Sequence, residues 1–497
     1  MKEHVRRMVK ALKGVYRVPA REDGGRIAIS AGRKYRINHG AFEGWGTTLC
    51  WWANRIGYSD ALAQLAADLF YGKEGLRLNI ARFNIGGGDA PSHTHITRTD
   101  SNMPGYTVYE GGKARFDWSA DHNQRNVLRR CIAACENDMI VEMFSNSPPY
   151  YMTRSGCTSG AVRGWDNNLR EECYDEFAAY LAEVCAHYQN EWGIKVQSAE
   201  ALNEPYTDFW YAQSPKQEGC HFDLGECESR IVLALRRELD ARGLGDTLVC
   251  GTDETAVVIQ ALAWLRLSGK ARAALGRIDT HTYSGCGRPW LRALACRAGM
   301  NLWMSEVDAP GVIGEDAGEM GAALALAAQI TRDLNELEAS AWILWQVIDS
   351  HICAAGYDGR QDTGMVDTRG GYWGTAVADH DKGEIVLTKK FYALGQYSRY
   401  IRPGMTMLRT DGHAVAAYDA AGRRLVVTAY NAHADARAAE LELEGFSVGS
   451  AQVRLIRTSA RESWAEVDGA ALAGNVLRVE LAGNSITTVL VDGIDRV

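Results

Sequence analysis

The feature that most narrows the fold of this chain is an alternation. Between residues 42 and 345, eight short apolar runs closed by turn or polar residues take turns with stretches of helical spacing. The runs 42–46, 78–84, 139–145, 196–202, 247–252, 277–282, 301–305 and 340–345 read as strands. The clearest helical patterns between them are 59–71, 122–137, 171–191, 228–243, 255–268 and 318–338. Strands separated by helices build a parallel sheet, and eight such units close most economically into a (β/α)₈ barrel.

After about Lys390 the texture changes to period two, in AVAAYDA, RRLVVTAYNA, AELELEG, AQVRLIRTS, NVLRVEL and SITTVLVDG, broken by Gly, Asn and Asp. These segments predict an antiparallel β-sandwich. The piece 14–38 (VYRVPA, GRIAISAG, KYRIN) is also strand-like and precedes the first barrel strand, so it is expected to join the C-terminal sheet. The expected division is an arm with strands at 1–38 joining the side domain, a catalytic barrel at 39–398 and the sandwich at 399–497. A chain of 497 residues exceeds the usual size of one core, which agrees with a large and a small domain.

Charge and composition remove several function classes. The formal charge is −8, with 54 Lys and Arg against 62 Asp and Glu and no basic block past the first dozen residues, so a nucleic-acid partner is not expected. No apolar run approaches the roughly 20 residues of a membrane span. The opening MKEHVRRMVKALKGVY is basic but lacks the apolar stretch of a secretory leader, and reads as a surface arm. Twelve irregularly spaced cysteines read as reduced thiols, so the expected location is the cytoplasm.

In such a barrel the C-terminal strand ends and their loops build the active site. Here the first strand leads into GWGTTLCWWAN with Trp51, the second carries Arg82 and Asn84 before GGGDAP, and the third ends in SNSPPYYM with Asn146. The fourth supplies Asn203 and Glu204, the sixth His281 and Tyr283, the seventh Glu306, and the eighth Trp345 and Gln346. Glu204 and Glu306 thus face one another across the mouth. Two carboxyl groups flanking a sugar ring are what glycosidic hydrolysis needs: one protonates the leaving oxygen, and the other attacks the anomeric carbon or activates water. Arg82 is the best available cation to keep a nucleophilic carboxylate ionised.

The ordered motifs EGWGTTLCWWAN, LNIARFNIGGGD, FSNSPPYYM, ALNEP, THTYSG, WMSEVD, ILWQ and KKFYALGQYSRYIRPG, spanning 43–404, resemble those of glycoside hydrolase family 30, a clan A family. The resemblance implies a retaining mechanism with Glu204 as acid/base and Glu306 as nucleophile. It further implies that Asn203 holds the sugar 2-hydroxyl, that Arg82 and Tyr283 contact the nucleophile, and that Trp345 floors the −1 subsite. Within the family, GWGTTLCWWAN with RFNIGGGD looks most like the branch that cleaves β-1,6-linked galactan. The implied partner is an oligosaccharide or polysaccharide, and this chemistry requires no cofactor or metal; hydrolysis in the cytoplasm is expected to favour short or chain-end substrates. Another family 30 specificity (β-glucosidase, β-xylosidase, β-glucuronidase or β-fucosidase) and an inactive carbohydrate-binding barrel stay open at this point.

Several features also have plain structural readings. A strand-end Glu is most often a solvated carboxylate, and Trp45, Trp51, Trp52 and Trp345 suit either a core or a sugar-stacking wall. GGGDAP lacks dinucleotide spacing and has Pro where a helix would begin, so it reads as a loop passing close to substrate. His93 and His95 in SHTHIT have no evident third ligand in sequence and read as a polar loop. Cys131 and Cys135 are expected in the core, and Cys220 and Cys227 as free thiols.

Overall fold

A computed structural model describes residues 25–98, 101–308, 319–357, 360–363, 374–410, 414–449 and 451–497. The basic arm and VYRVPA lie outside the described residues. Eight parallel strands close into a barrel. In chain order they are Gly44–Thr48, Ile80–Asn84, Ile140–Phe144, Ser198–Glu200, Leu248–Ala256, Leu275–Ser284, Asn301–Val307 and Ala341–Leu344. The eighth closes on the first through Ala341↔Gly44 and Leu344↔Thr47. Side chains alternate across each strand, so one set points into the barrel. Ile80, Trp303, Ala341 and Ile343, from the second, seventh and eighth strands, form its apolar floor.

Above that floor the interior is charged. Arg277 Nε donates to Asp279 Oδ1 at 2.6 Å and its Nη2 reaches Ser198 Oγ at 3.3 Å and also Glu142, while the guanidinium lies 3.3 Å from the Trp303 ring centroid. Buried ions persist only when paired in this way. The surrounding helices follow their apolar stripes: in Asp60–Phe70, Leu62, Ala63, Ala66, Ala67 and Phe70 are buried, and Ser59 caps the start by accepting from Leu62 N at 3.3 Å.

Two strand boundaries differ from the sequence reading in ways that matter to the site. The fourth strand stops at Glu200, short of 202, because the chain turns away to set Glu204 at φ 48°. The fifth runs on to Ala256, past 252, through register shifts around Cys250, Thr252 and Glu254. Bulges of this kind re-aim side chains at barrel rims, and here they bring Asp253 to Arg82 and His281 in the mouth, while Glu254 turns to Tyr206 N.

A four-stranded sheet follows the eighth barrel strand, in the order Arg360–Thr363, Ile348–Tyr357, Ala376–Asp379, Glu384–Leu387, and no sequence signal announced it. Helix Lys389–Ser398 then packs beside helix Met320–Leu337, with Phe391 against Phe70 of Asp60–Phe70. Its Lys390 Nζ meets Asp308 Oδ1 at 2.6 Å with both side chains fully buried, and its Gln396 and Tyr392 bond to Thr458, Thr488 and Trp464 of the side domain.

The side domain is one long sheet of ten strands that wraps on itself. Arg437–Glu444 buries Ala439, Leu441 and Leu443 at every second position, against Ile27, Ile29, Leu477 and Val489. The strand Arg26–Lys34 joins this sheet between Thr406–Thr410 and Arg437–Glu444, so the chain's described start meets its end. The pairing in this sheet is antiparallel except at one place, where Arg26–Lys34 runs parallel to Arg437–Glu444. It enters from the N-terminal side instead of through a hairpin, which leaves its direction free.

Candidate active site

Glu306 ends the seventh strand and Glu204 sits in the turn after the fourth. The left-handed backbone at Glu204 is pinned on three sides. Its N–H donates to Asp253 O at 2.9 Å, and its carbonyl accepts from Thr207 Oγ1 and Trp210 Nε1, each at 3.0 Å. Such a conformation is uncommon for a residue with a side chain, and it aims the Glu204 carboxyl at the barrel axis. There His281 Nδ1 and one oxygen from each of Glu204 and Glu306 all lie within 4.8 Å of one another.

Cations hold this arrangement. Arg82 Nη1 donates to Glu306 Oε2 at 2.6 Å, and Arg82 Nη2 donates to Asn203 Oδ1 at 2.8 Å and also to Asp253. The Phe144 ring backs the guanidinium at 3.5 Å. Tyr283 OH donates to Glu306 Oε1 at 3.1 Å. His281 is central: its Nδ1 lies 3.1 Å from Glu204 and 3.5 Å from Glu306, and its Nε2 lies 3.1 Å from Asp253.

Proton affinities follow from this geometry. Burial alone would favour neutral His281, but Asp253, Glu306 and Glu204 outweigh it and push the imidazole up to about 10, so it is a cation at neutral pH. Burial would likewise raise Asp253, yet Arg82 and His281 hold it well below the ordinary carboxylate range. For Glu306 burial wins: its carboxyl is pushed up, with Glu204 and Asp253 adding to the effect and His281 and Arg82 opposing it. Two cations, Arg82 and His281, thus stand against the anions in a largely buried site.

The structure brings Arg82, Asn203, His281, Tyr283, Glu204 and Glu306 together as one network. Trp345 and Trp51 meet edge to face at 4.9 Å beside Cys50, Met103 and Phe144, with the Arg98 guanidinium over Trp51 at 4.2 Å. They are packed against each other instead of standing as two separate walls. Asn146 is buried two residues past the third strand, and among the described residues neither amide atom has a partner. A polar pair left unmet in this way suits a hydroxyl-rich ligand. Asp253 is the residue the sequence reading missed, since it lies one position beyond the predicted strand end. The twelve cysteines are free thiols, with Cys131 and Cys220 buried and Cys135 and Cys227 half-buried.

Over 419 aligned residues the chain is 32% identical to the endo-β-1,6-galactanase of Hypocrea rufa, covering 79% of each protein. This chain belongs to glycoside hydrolase family 30. The profile of O-glycosyl hydrolase family 30 itself matches residues 26–260. A second relative of this family 30 hydrolase, the exo-β-1,6-galactobiohydrolase of Bifidobacterium longum, is 24% identical over 457 residues, which is 71% of this chain and 29% of that protein. In three dimensions the catalytic domain of the family 30 xylanase C from Talaromyces cellulolyticus superposes with a TM-score of 0.68 at 18% identity, covering 94% of this chain and 99% of that one. The family 30 enzyme is a glycoside hydrolase with the expected (β/α)₈ barrel and β side domain.

Proposed function

We propose that this family 30 enzyme is a retaining β-glycosidase acting on β-1,6-linked galactan or galacto-oligosaccharides. The observation that carries the mechanism is the approach of the two carboxylates, with one oxygen of each inside 4.8 Å. Retaining glycosidases hold their carboxyl groups about 5–5.5 Å apart, whereas inverting ones leave about 6.5–9.5 Å for a water. Glu306, gripped by Arg82 and Tyr283, attacks the anomeric carbon while Glu204 gives its proton to the leaving oxygen. Glu204 then takes a proton from water, which releases the sugar from the Glu306 ester.

In the first step one negative charge leaves Glu306 and one appears on Glu204. His281 Nδ1 lies 3.5 Å from the first carboxylate and 3.1 Å from the second, so the same cation serves both without moving far. Asn203, fixed by Arg82, and the unmet amide of Asn146 are placed to receive sugar hydroxyls.

The substrate assignment rests on the two relatives named for β-1,6-galactan chemistry. A preference for short or chain-end substrates draws support from the Arg98–Asp349 ion pair at 2.8 Å, which with Arg98 over Trp51 narrows one side of the mouth. The test is product analysis on β-1,6-galacto-oligosaccharides of defined length, with NMR of the first-formed anomer. The β-anomer first and release from chain ends are expected. The α-anomer first would overturn retention, and internal cutting of long galactan as fast as of the dimer would overturn the chain-end preference.

A further inference from the structure

Beyond the catalytic pair, the loops around the barrel mouth bring together four side chains that sequence spacing alone left unconnected. Asp89, His93 and His95 lie on the loop after the second strand, and one donor atom from each is within 4.8 Å of the others. His93 Nδ1 is 3.1 Å from Asp89 Oδ1, and His95 Nε2 is 3.5 Å from Asp89 Oδ2. From the loop after the third strand, Cys157 Sγ comes to 3.8 Å from His93 Nδ1. Among the described residues the ion pairs of Asp89 are with these two histidines, although its side chain is only 3% exposed.

We propose that Asp89, His93, His95 and Cys157 form a zinc site that clasps the second-strand loop to the third-strand loop. Zinc bonds of about 2.0–2.3 Å from imidazole, carboxylate and thiolate in a tetrahedron set neighbouring ligand atoms roughly 3.3–3.8 Å apart. Asp89, His93 and His95 hold spacings of 3.1 and 3.5 Å, close to that shell, while Cys157 Sγ meets only His93, at 3.8 Å, and closes on the other two ligands when the metal binds. Two imidazoles with a thiolate select zinc over calcium or magnesium, which take oxygen ligands in larger number. Cys157 binds as the thiolate and its proton goes to solvent.

The surroundings brace the cluster. Thr158 N donates to Asp89 Oδ1 at 3.2 Å. Gly87 N and Gly88 N donate to buried Glu218 at 3.2 and 3.3 Å, which fixes the glycine run leading into Asp89. Ser159 Oγ, 3.0 Å from His95 Nε2, yields that nitrogen when metal binds.

Among the described residues, two other groups with ligand-like spacing do not compete. Between Glu142 and Asp279, beside Cys250, the Arg277 guanidinium already supplies the positive charge. Glu204, His281 and Glu306 are the catalytic cluster, with Arg82 on Glu306. A four-ligand closed site is structural and not catalytic. Its effect is on the cleft: the same loop continues to Arg98, which covers Trp51 and pairs with Asp349, so the clasp fixes one wall of the sugar site.

Metal content tests this without reference to turnover. The full chain, prepared without a polyhistidine tag and desalted after zinc loading, is expected to retain about one zinc per chain by mass spectrometry. The cobalt-loaded chain is expected to show the intense visible bands of a tetrahedral ion and a near-ultraviolet thiolate charge-transfer band. Cys157→Ser should lose that band, His95→Gln should lose the metal, and Glu306→Gln should keep it in full. A wild-type chain that desalts free of zinc overturns the proposal, as does cobalt bound without a thiolate band or metal lost in Glu306→Gln. If His95→Gln fails to fold, the wild-type metal content and cobalt spectrum decide alone.

Discussion

Replacing His281 with glutamine removes a positive charge that faces three carboxylates at once, and the pH profile should register it. At an effective dielectric near 20, a unit charge 3.5 Å from Glu306 is worth roughly 5 kcal/mol, a ceiling of about three and a half pKa units. Relaxation and water entry reduce this, and measured opposite-charge neighbours move carboxyls by about 1–3 units. The direction is fixed: without the cation the carboxylate is less stable relative to its acid, so Glu306, already raised by burial, stays protonated to still higher pH. The acid limb of kcat/KM is therefore expected to move up by about 1–2 units. The assay is kcat/KM across pH with an activated aryl glycoside that the wild type cleaves, with the melting temperature as a folding control. Limbs that stay in place while kcat falls would refute the reasoning, since they would mean that His281 acts as a neutral spacer.

Other substitutions probe separate parts of the argument. Glu204→Gln should lower kcat/KM for the natural glycoside by about 10²–10⁴-fold, and far less for an aryl glycoside whose leaving group needs no proton, as initial rates on both substrates would show. Asp253→Asn leaves Arg82 and His281 buried with one anion fewer and should cost about 3–5 kcal/mol in urea unfolding. Because Asp253 is held low in the fold, its stabilisation is fully present above the ordinary aspartate range and is lost only as pH falls through its depressed folded value. Gly395→Ala would place a Cβ 2.1 Å from Trp464 Cζ2, where the side domain meets its helix, and should cost about 1–3 kcal/mol in urea unfolding with kcat preserved.

The parts of the site legible in sequence were those set by strand period alone. Arg82 and Glu306 sit at inward positions of apolar runs, so their convergence followed from the barrel. Asp253 escaped because bulges carried the fifth strand past its apolar stretch, and a register shift leaves no compositional mark. The charge of His281 was equally hidden, since it depends on Asp253, Glu204 and Glu306 meeting from three other strands. His93 and His95 were visible as a pair, but Asp89 became a partner only through loop conformation, and Cys157 only through the neighbouring loop. The four-stranded sheet after the eighth strand was missed because Ile348–Tyr357 and its neighbours lack the clean alternation seen in the side domain.

The grouping of charges explains why a barrel interior tolerates so many of them. In the proposed mechanism Arg82 and His281 are balanced by Asp253 and by a single charge shared in time between Glu306 and Glu204, so the site would carry no net charge before or after the first chemical step. An isolated buried carboxylate would cost several kcal/mol, and a nucleophile built that way would simply hold its proton. The fixed pair of cations lets that charge cross from one strand end to another while the surrounding dipoles stay in place, which is how a preorganised site lowers a barrier without reorganising at the moment of reaction. On this reasoning Asp253, held by Arg82 and His281, is a positioning residue that stabilises the charge on His281 and fixes the Arg82 guanidinium. Its loss should change the pH limbs of kcat/KM more than KM.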